Sequence, residues 1–421
     1  MRTRPVLLAA VLGTALLAAT ACGGGGGEGK PAAEGGQLVF ANFQWLEPNR
    51  GEQLWKAVTG YQQANPKATM KQQAITRKDY ESTLKTQMGA RGGPDILVIP
   101  DTFFPELAQA GLLEPVGDAL GPDEKGRLNT TNQAATYKGE QLAYAWENVN
   151  YALFWNKKLL DEAGVQPPRD MAGLVAAAKA VKEKTGNPGF AVRHQINEET
   201  PWWIDFSNWP YGFGGGWSRD GKLTIDSPEN VAALTAYKQM YASGAMPVGD
   251  DASTFRSKFQ QGKIGMMIDN SSALFTMVNG NATVPSTSGV GAAPLPFPGK
   301  GSSRASFFVG INKNSPNKAL AKDWLKWFFS AKAQETAAAA LGASVIGTDA
   351  QPPQAFLSAN PWVPVFRDQA AGSQDAVIDG FETKTPRIRH IVLQQVERVL
   401  VQNADPAAAL KQAQQEAEKL G

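Results

Sequence analysis

Short apolar runs alternate with stretches of helical periodicity along most of the chain, and this alternation restricts the fold more than any other feature. QLVFANF at 37–43 reads as a strand. Leu54, Val58 and Tyr61 follow at spacings of four and three, the face of a helix that stops at Asn65-Pro66. Tyr80, Leu84 and Met88 mark a second helix, broken at Gly92-Gly93-Pro94, and DILVIP at 95–100 is then a buried strand by its β-branched content. Strand and helix in turn predict an α/β fold around a largely parallel sheet.

The rhythm persists downstream. Leu174, Ala177, Ala178 and Val181 make one helix face, ending near Gly186. Ser227-Pro228 is an N-cap with a first-turn proline, followed by Val231, Leu234 and Tyr241. KIGMMID at 263–269 and SFFVGIN at 306–312 read as buried strands. Ser315-Pro316 repeats the cap signal before Leu320, Trp324, Leu325 and Phe328, and residues 404–421 form an alanine-rich amphipathic helix. There is no internal repeat. A length of 421 residues predicts two or three domains.

Charge and rare residues exclude several function classes. Without Arg2 and Arg4 the basic and acidic residues balance at 39 each, so no global field attracts nucleic acid. A single cysteine, Cys22, rules out an intrachain disulfide, and two histidines, His194 and His390, leave no basis for a Cys/His metal site or a His-based triad. No cofactor motif occurs. G-x-S-x-G, H-E-x-x-H and the P-loop are all absent, so any ATPase partner is a separate chain. Eleven tryptophans are many for this length, and several lie among polar residues, the composition of a carbohydrate site.

Residues 1–21 read as a signal peptide: Arg2 and Arg4, an apolar run from Val6 to Ala19, and small residues before Cys22. The segment resembles the lipobox of bacterial lipoproteins, with Ala19 where leucine is usual. That resemblance implies a lipidated Cys22 and a chain held at the cell membrane on its outer side. Residues 22–36, rich in glycine, then form a tether. No later apolar run is long enough to span a bilayer.

Four segments, in order, resemble the extracellular solute-binding proteins of ABC importers, the group that contains maltose-binding protein. They are GGPDILVIPDTFFPELAQAGLLEPV at 92–116, ALFWNKKLLDEAGVQPPRDMAGL at 152–174, FQQGKIGMMID at 259–269 and FFVGINKNSPNKALAKDWLKWFFS at 307–330. The resemblance implies a two-lobed α/β fold of the periplasmic-binding-protein type (type II) with a hinged ligand cleft. It implies three crossings between lobes, placed near 147–151, 307–311 and 346–352. Lobe 1 is then 37–148 with 310–347, and lobe 2 is 149–309 with 348–421. The expected molecule is a monomer that captures a carbohydrate or related polyol and hands it to the permease subunits.

Ligands in open α/β sheets sit beyond the carboxyl ends of strands, which points to Gln44 and Trp45 after the first strand. Asp101 ends DILVIP; the family often has an acidic sugar ligand there, and the alternative is a helix N-cap. Glu147 and Asn148 precede the first crossing. Trp202, Trp203, Phe206 and Trp209 are candidates for ring stacking, with core packing as the alternative. Gly214-Gly215-Gly216 permits close backbone approach or a turn. Asn270 and Ser271 stand where the maltose-binding group carries a stacking tryptophan, which keeps a glycerophosphodiester-type solute open. Phe308 lines either the cleft or the hinge, and Arg387 and Arg389 form a solvated patch or an anion site. A secreted glycoside hydrolase would need a carboxylate pair such as Asp101 and Glu147. A purely structural surface lipoprotein is the third reading.

Overall fold

The computed structural model describes residues 35–47, 50–273 and 289–420. The signal peptide, Cys22 and most of the tether lie outside the described residues. Strands β1 (Gln37–Ala41), β2 (Thr69–Gln73) and β3 (Ile96–Pro100) are parallel neighbours. A hairpin of β4 (Thr136–Tyr137) and β5 (Glu140–Gln141) follows, then the long β6 (Ala143–Asn156) and the short β7 (Phe190–Ala191). A second hairpin, β8 (Ser218–Arg219) with β9 (Lys222–Leu223), precedes β10 (Met266–Asn270), β11 (Val290–Ala293), β12 (Ser302–Ile311) and β13 (Ser373–Asp375). Apart from the hairpins these strands form one nine-stranded sheet in the order β2-β1-β3-β12-β6-β10-β7, with β11 on β6 and β13 on β12. All five residues of β3 are buried, as a strand covered on both faces requires.

Strand β6 joins the two halves. Its residues Ala143 to Asn150 pair with β12, which is also hydrogen-bonded to β3. Residues Tyr151 to Asn156 pair with β10 and β11 instead. The first half of the sheet packs Leu38, Phe40, Ile96, Trp146 and Val309 on one face, and Tyr80, Leu84, Leu97, Ile99 and Phe308 on the other. The second half packs Tyr151, Leu153, Trp202, Trp203 and Val392 on one face, with Phe154, Phe255, Phe259 and Phe366 opposite. Half-buried Phe307 on β12 touches three of these four cores. A further contact between the halves lies at Ser344 and Val345. Val345 exchanges both backbone hydrogen bonds with Asn148, at 2.7 and 3.0 Å, while Ser344 accepts from Arg367 at 3.1 Å.

The helix signals hold at Tyr80–Gly89, at Met171–Thr185 and at Pro228–Ala242, where the Ser227 side chain accepts from Asn230 N. Four details differ. The sheet is mixed, not largely parallel, because β12 runs antiparallel to β3 and β6, and β6 antiparallel to β10 and β11. Gly60 interrupts the first pattern, giving Arg50–Thr59 and then Tyr61–Ala64. Strand β10 starts at Met266, not Lys263, because the preceding helix closes through a left-handed Gly262 (φ +73°). Ser315 does not cap the helix Lys318–Phe328; its hydroxyl donates to Asp95 at 2.6 Å and accepts from Asn317 N at 2.9 Å.

Candidate functional site

Where β6 passes from one half of the sheet to the other, a cluster of charged and amide groups replaces apolar packing. Asn42 caps the turn Phe43–Leu46 by accepting from Gln44 N at 3.0 Å, which turns the Gln44 side chain inward. Gln44 Nε2 then donates to Glu147 at 2.6 Å, and Gln44 Oε1 accepts from the Trp146 indole at 2.8 Å. Arg50 opens the next helix and lies against the same turn: a Cβ on Gly51 would come within 2.5 Å of Trp45 O. Its guanidinium donates to Glu147 and, at 2.6 Å, to Glu47. The Arg50 and Glu147 side chains are fully buried, whereas 29% of the Glu47 side chain reaches solvent.

These burials perturb the charges in definite directions. Desolvation alone would lower the Arg50 pKa, but Glu147 and Glu47 outweigh it and hold the guanidinium charged. Burial pushes the Glu47 carboxyl above its usual value and Glu147 adds to this, against the attraction of Arg50 and of Arg256. Arg256 belongs to the other half of the molecule, so Glu47 and Arg256 sense each other across the junction.

On that other side, Arg256 makes a two-point bond to Asp269 at 2.6 and 2.6 Å. Arg193 binds Asp205 at 2.6 Å and Glu198 at 3.2 Å, and the Tyr151 hydroxyl donates to Asp205 at 2.5 Å. Burial raises the Asp205 pKa, whereas at Asp269 the guanidinium groups of Arg256 and Arg193 prevail over burial and lower it. Between the two sets, both amide atoms of Asn148 and of Asn150 are buried without a hydrogen-bond partner among the described residues, as are Arg50 Nε and Gln195 Nε2. A buried polar atom left unsatisfied costs about 1–3 kcal/mol, so these groups call for a partner, ordered water or a bound solute.

A cavity of about 980 Å³ lies elsewhere at the junction. Asp101, Phe104, Tyr137, Tyr211, Trp217, Arg304, Phe308 and Asp375 help line it; Gln44 and Glu147 do not. The Asp101 carboxylate accepts from Thr102 N at 2.7 Å and Ser306 N at 3.1 Å. Arg304 pairs with Asp375 at 2.8 and 2.7 Å, and the Ser306 hydroxyl donates to Asp375 at 2.7 Å. Burial, reinforced by Asp375, pushes Asp101 up to about 7.

The expected site residues therefore separate into three groups. Gln44 and Glu147 meet directly, and Asn148 lies beside them on β6. Asn270 and Ser271 fall at the end of β10, where Ser271 hydrogen-bonds Ser344 at 2.9 Å and Asn270 accepts from Ala273 N at 3.0 Å. Asp101 and Phe308 face the cavity. Asp101 is not a helix cap, because the helix Phe104–Gln109 has no side-chain cap.

The five aromatic candidates are buried. Trp45 is 8% exposed, its indole donates to Phe40 O at 3.1 Å, and it packs edge-on against Phe40 and Trp55. Trp202, Trp203, Phe206 and Trp209 sit in the core of the second half. Trp202 donates to the Tyr237 hydroxyl at 3.2 Å, and Trp203 donates to Ala376 O at 2.7 Å and stacks on Trp217 at 4.3 Å. Each is enclosed by its own core, so none offers a free ring face. The close approach at Gly215 serves Asn230, whose Oδ1 would lie 2.1 Å from an added Cβ. Arg389 pairs with Glu199 at 3.0 Å, and Arg387 is exposed.

Glu47, Arg50, Arg193, Arg256 and Asp269 were not singled out from sequence. The readable signals were a charge closing the apolar run MMID and the i,i+3 pair Glu47–Arg50. Among the described residues no group of three or more His, Cys, Asp or Glu is placed to hold a metal ion.

The sequence profile of the bacterial extracellular solute-binding proteins matches residues 45–335. The chain belongs to this family. Its relatives include the diacetylchitobiose binding protein DasA of Streptomyces coelicolor, 26% identical over 340 residues that span 77% of this chain and 78% of that one. The maltotriose-binding protein of Pyrococcus abyssi is 26% identical over 60% of this chain and 54% of its own. Among solved structures, the GacH receptor of Streptomyces glaucescens, studied with acarbose, superposes with a TM-score of 0.80 at 22% identity, covering 92% of this chain and 98% of that one. Maltose-bound MalE3 of T. maritima gives 0.77 at 22% identity over 91% and 100%. The two-lobed architecture of this solute-binding protein follows from those superpositions.

Proposed function

We propose that this solute-binding protein serves an ABC importer and captures an oligosaccharide or related polyol between lobes 37–148 with 310–347 and 149–309 with 348–421. The solute lies against Gln44, Glu47 and Glu147 on one wall and Arg256 with Asp269 on the other. The observation that carries this reading is the convergence of ionisable groups from both halves at the crossing strands, Arg50 with Glu147 on one side and Arg256 with Asp269 on the other. Carboxylates and amides in that setting accept and donate to hydroxyl groups. Arg50, Arg193, Arg256, Arg304 and Arg389 are each paired with a carboxylate, which favours a neutral polyol over a phosphodiester. The saccharides named for the relatives point the same way. Lipidated Cys22, on its tether, holds the monomeric protein at the outer face of the membrane, and the protein releases no product.

The test is unfolding in the presence of diacetylchitobiose, maltotriose and glycerophosphocholine. A solute at about one hundred times its Kd raises the unfolding free energy by about 2.7 kcal/mol. Stabilisation by a saccharide without new products supports the reading. Stabilisation by the phosphodiester alone replaces the sugar, and turnover overturns the binder. Cys22→Ser moves the full-length protein from the detergent to the aqueous phase if the anchor reading holds.

A further inference from the structure

The amino ends of β1, β2 and β3 share one pole of the first half, because the three strands run parallel and Gln37 pairs with Thr69. Strand β12 runs antiparallel to β3 and ends at the same pole, where Ile311 pairs with Ile96. The carboxyl ends lie at the opposite pole, with the turn that holds Gln44 and with Asp101.

The chain from Cys22 enters the fold at the amino-end pole. Gly36 O accepts from Thr69 N at 2.8 Å. Gln37 O accepts from the side chain of Asn317 at 3.1 Å, one residue before the helix Lys318–Phe328. Residues 23–36 span at most about 50 Å even when fully extended. A lipid on Cys22 therefore draws this pole, rather than the solute wall, toward a bilayer.

The pole is basic. A Cβ on Gly35 would overlap Lys67, which is exposed. Lys313, Lys318 and Lys322 converge on Glu114 at 3.2, 3.4 and 3.6 Å, and Lys322 also reaches Asp118 at 2.7 Å. One carboxylate cannot neutralise three ammonium groups. Lys71 on β2 and Arg91 in the turn before β3 are exposed too, and among the described residues no carboxylate pairs with them or with Lys67. The other acids here are already engaged. Asp95 is buried and accepts from Val39 N and the Ser315 hydroxyl, and Asp323 accepts from the Tyr61 hydroxyl at 2.6 Å. Positive charge is thus in excess at this pole, in a chain whose whole formal charge is only +2.

A small excess of positive charge is attracted to anionic phospholipid headgroups, weakly and only within a Debye length of about 8 Å. An anchor overcomes that weakness, because a short linker holds the second contact at an effective concentration in the millimolar range. We propose that this basic pole docks on anionic phospholipid headgroups and orients the anchored protein with its solute wall turned away from the bilayer. The inference rests on the reading of Cys22 as the membrane anchor.

The test supplies the anchor chemically. Cys22 is the only cysteine, so the mature chain 22–421 is coupled through its thiol to a maleimide-bearing lipid. The vesicles are phosphatidylcholine alone or with about one-third phosphatidylglycerol. Brief acetylation followed by peptide mass spectrometry reads each lysine. Lys67, Lys318 and Lys322 are acetylated at least about threefold more slowly on the anionic vesicles, and about 0.5 M salt removes the difference. Lys179 and Lys411, exposed in the second half, react equally on both. Lys67→Glu/Lys313→Glu abolishes the slowing at Lys318 and Lys322. Equal acetylation on the two vesicles, slowing that survives salt or extends to Lys179 and Lys411, or unchanged slowing in the charge-reversed variant each overturns the proposal. The coupling does not depend on lipidation in the cell, so this experiment and the phase partitioning of Cys22→Ser fail separately.

Discussion

Removing either partner of the Arg50–Glu147 pair should destabilise the protein more than removing both. The two side chains are fully buried, and Glu147 also accepts from Gln44 at 2.6 Å. Replacing Arg50 with Met leaves Glu147 as a buried carboxylate with one amide donor. Replacing Glu147 with Met leaves the guanidinium with Glu47 alone. Breaking a buried pair from one side costs about 3–5 kcal/mol, much of it the penalty of stranding the remaining charge. For a domain of this size that corresponds to a loss of about 6–20 °C in melting temperature. The double variant Arg50→Met/Glu147→Met removes both charges, and the residual cost is mainly the unpaired Gln44 amide, about 1–3 kcal/mol. Urea unfolding followed by tryptophan fluorescence measures all three, since Trp146 adjoins the cluster. Additive single and double effects, with no coupling beyond about 0.5 kcal/mol, would refute the reasoning.

Two further outcomes follow from the same structure. Asp101 should titrate near 7 in a carbon-13 spectrum of its carboxyl group; because this native value lies above the unfolded value of 3.8, the native state binds the extra proton. Its contribution to stability therefore grows as pH falls from about 7 towards about 4 and is lost as pH rises through about 7; a midpoint below about 5 contradicts the burial argument. Trp203→Ala should cost about 3–5 kcal/mol of stability, because it empties a fully buried ring site and leaves Ala376 O without its donor. A variant with unchanged stability and lost solute binding would return Trp203 to the ligand.

Local elements were legible where one face of a helix is apolar and the other polar. Leu174, Ala177, Ala178 and Val181 are all buried along Met171–Thr185, and the side chain of Ser227 caps its helix as the Ser-Pro pair predicts. The helix Glu199–Gly212 gave no readable face. Every residue from Trp202 to Gly212 is buried, so no polar stripe tells which rings look toward a ligand. Polar residues beside these tryptophans do not expose the rings, because Asp205, Ser207 and Asn208 are themselves buried and hydrogen-bonded. Trp45 is buried for a related reason: its polar sequence neighbours Gln44 and Glu47 turn to Glu147 and Arg50, leaving the ring to the core behind them.

By itself the sequence determined most of the alternating elements, the Ser227 cap and the family to which they add up, since those depend on backbone preferences and apolar periods within a few residues of one another. It also singled out Gln44 after the first apolar strand, and the family resemblance pointed to Glu147 beside a crossing. Only the tertiary structure decided that these two meet although they lie 103 positions apart, with Arg50 closing the pair from 97 positions away. It alone placed Asp101 on a different cavity. Burial and charge pairing are set by which strands become neighbours, and here the order β3-β12-β6 brings together segments that lie far apart along the chain.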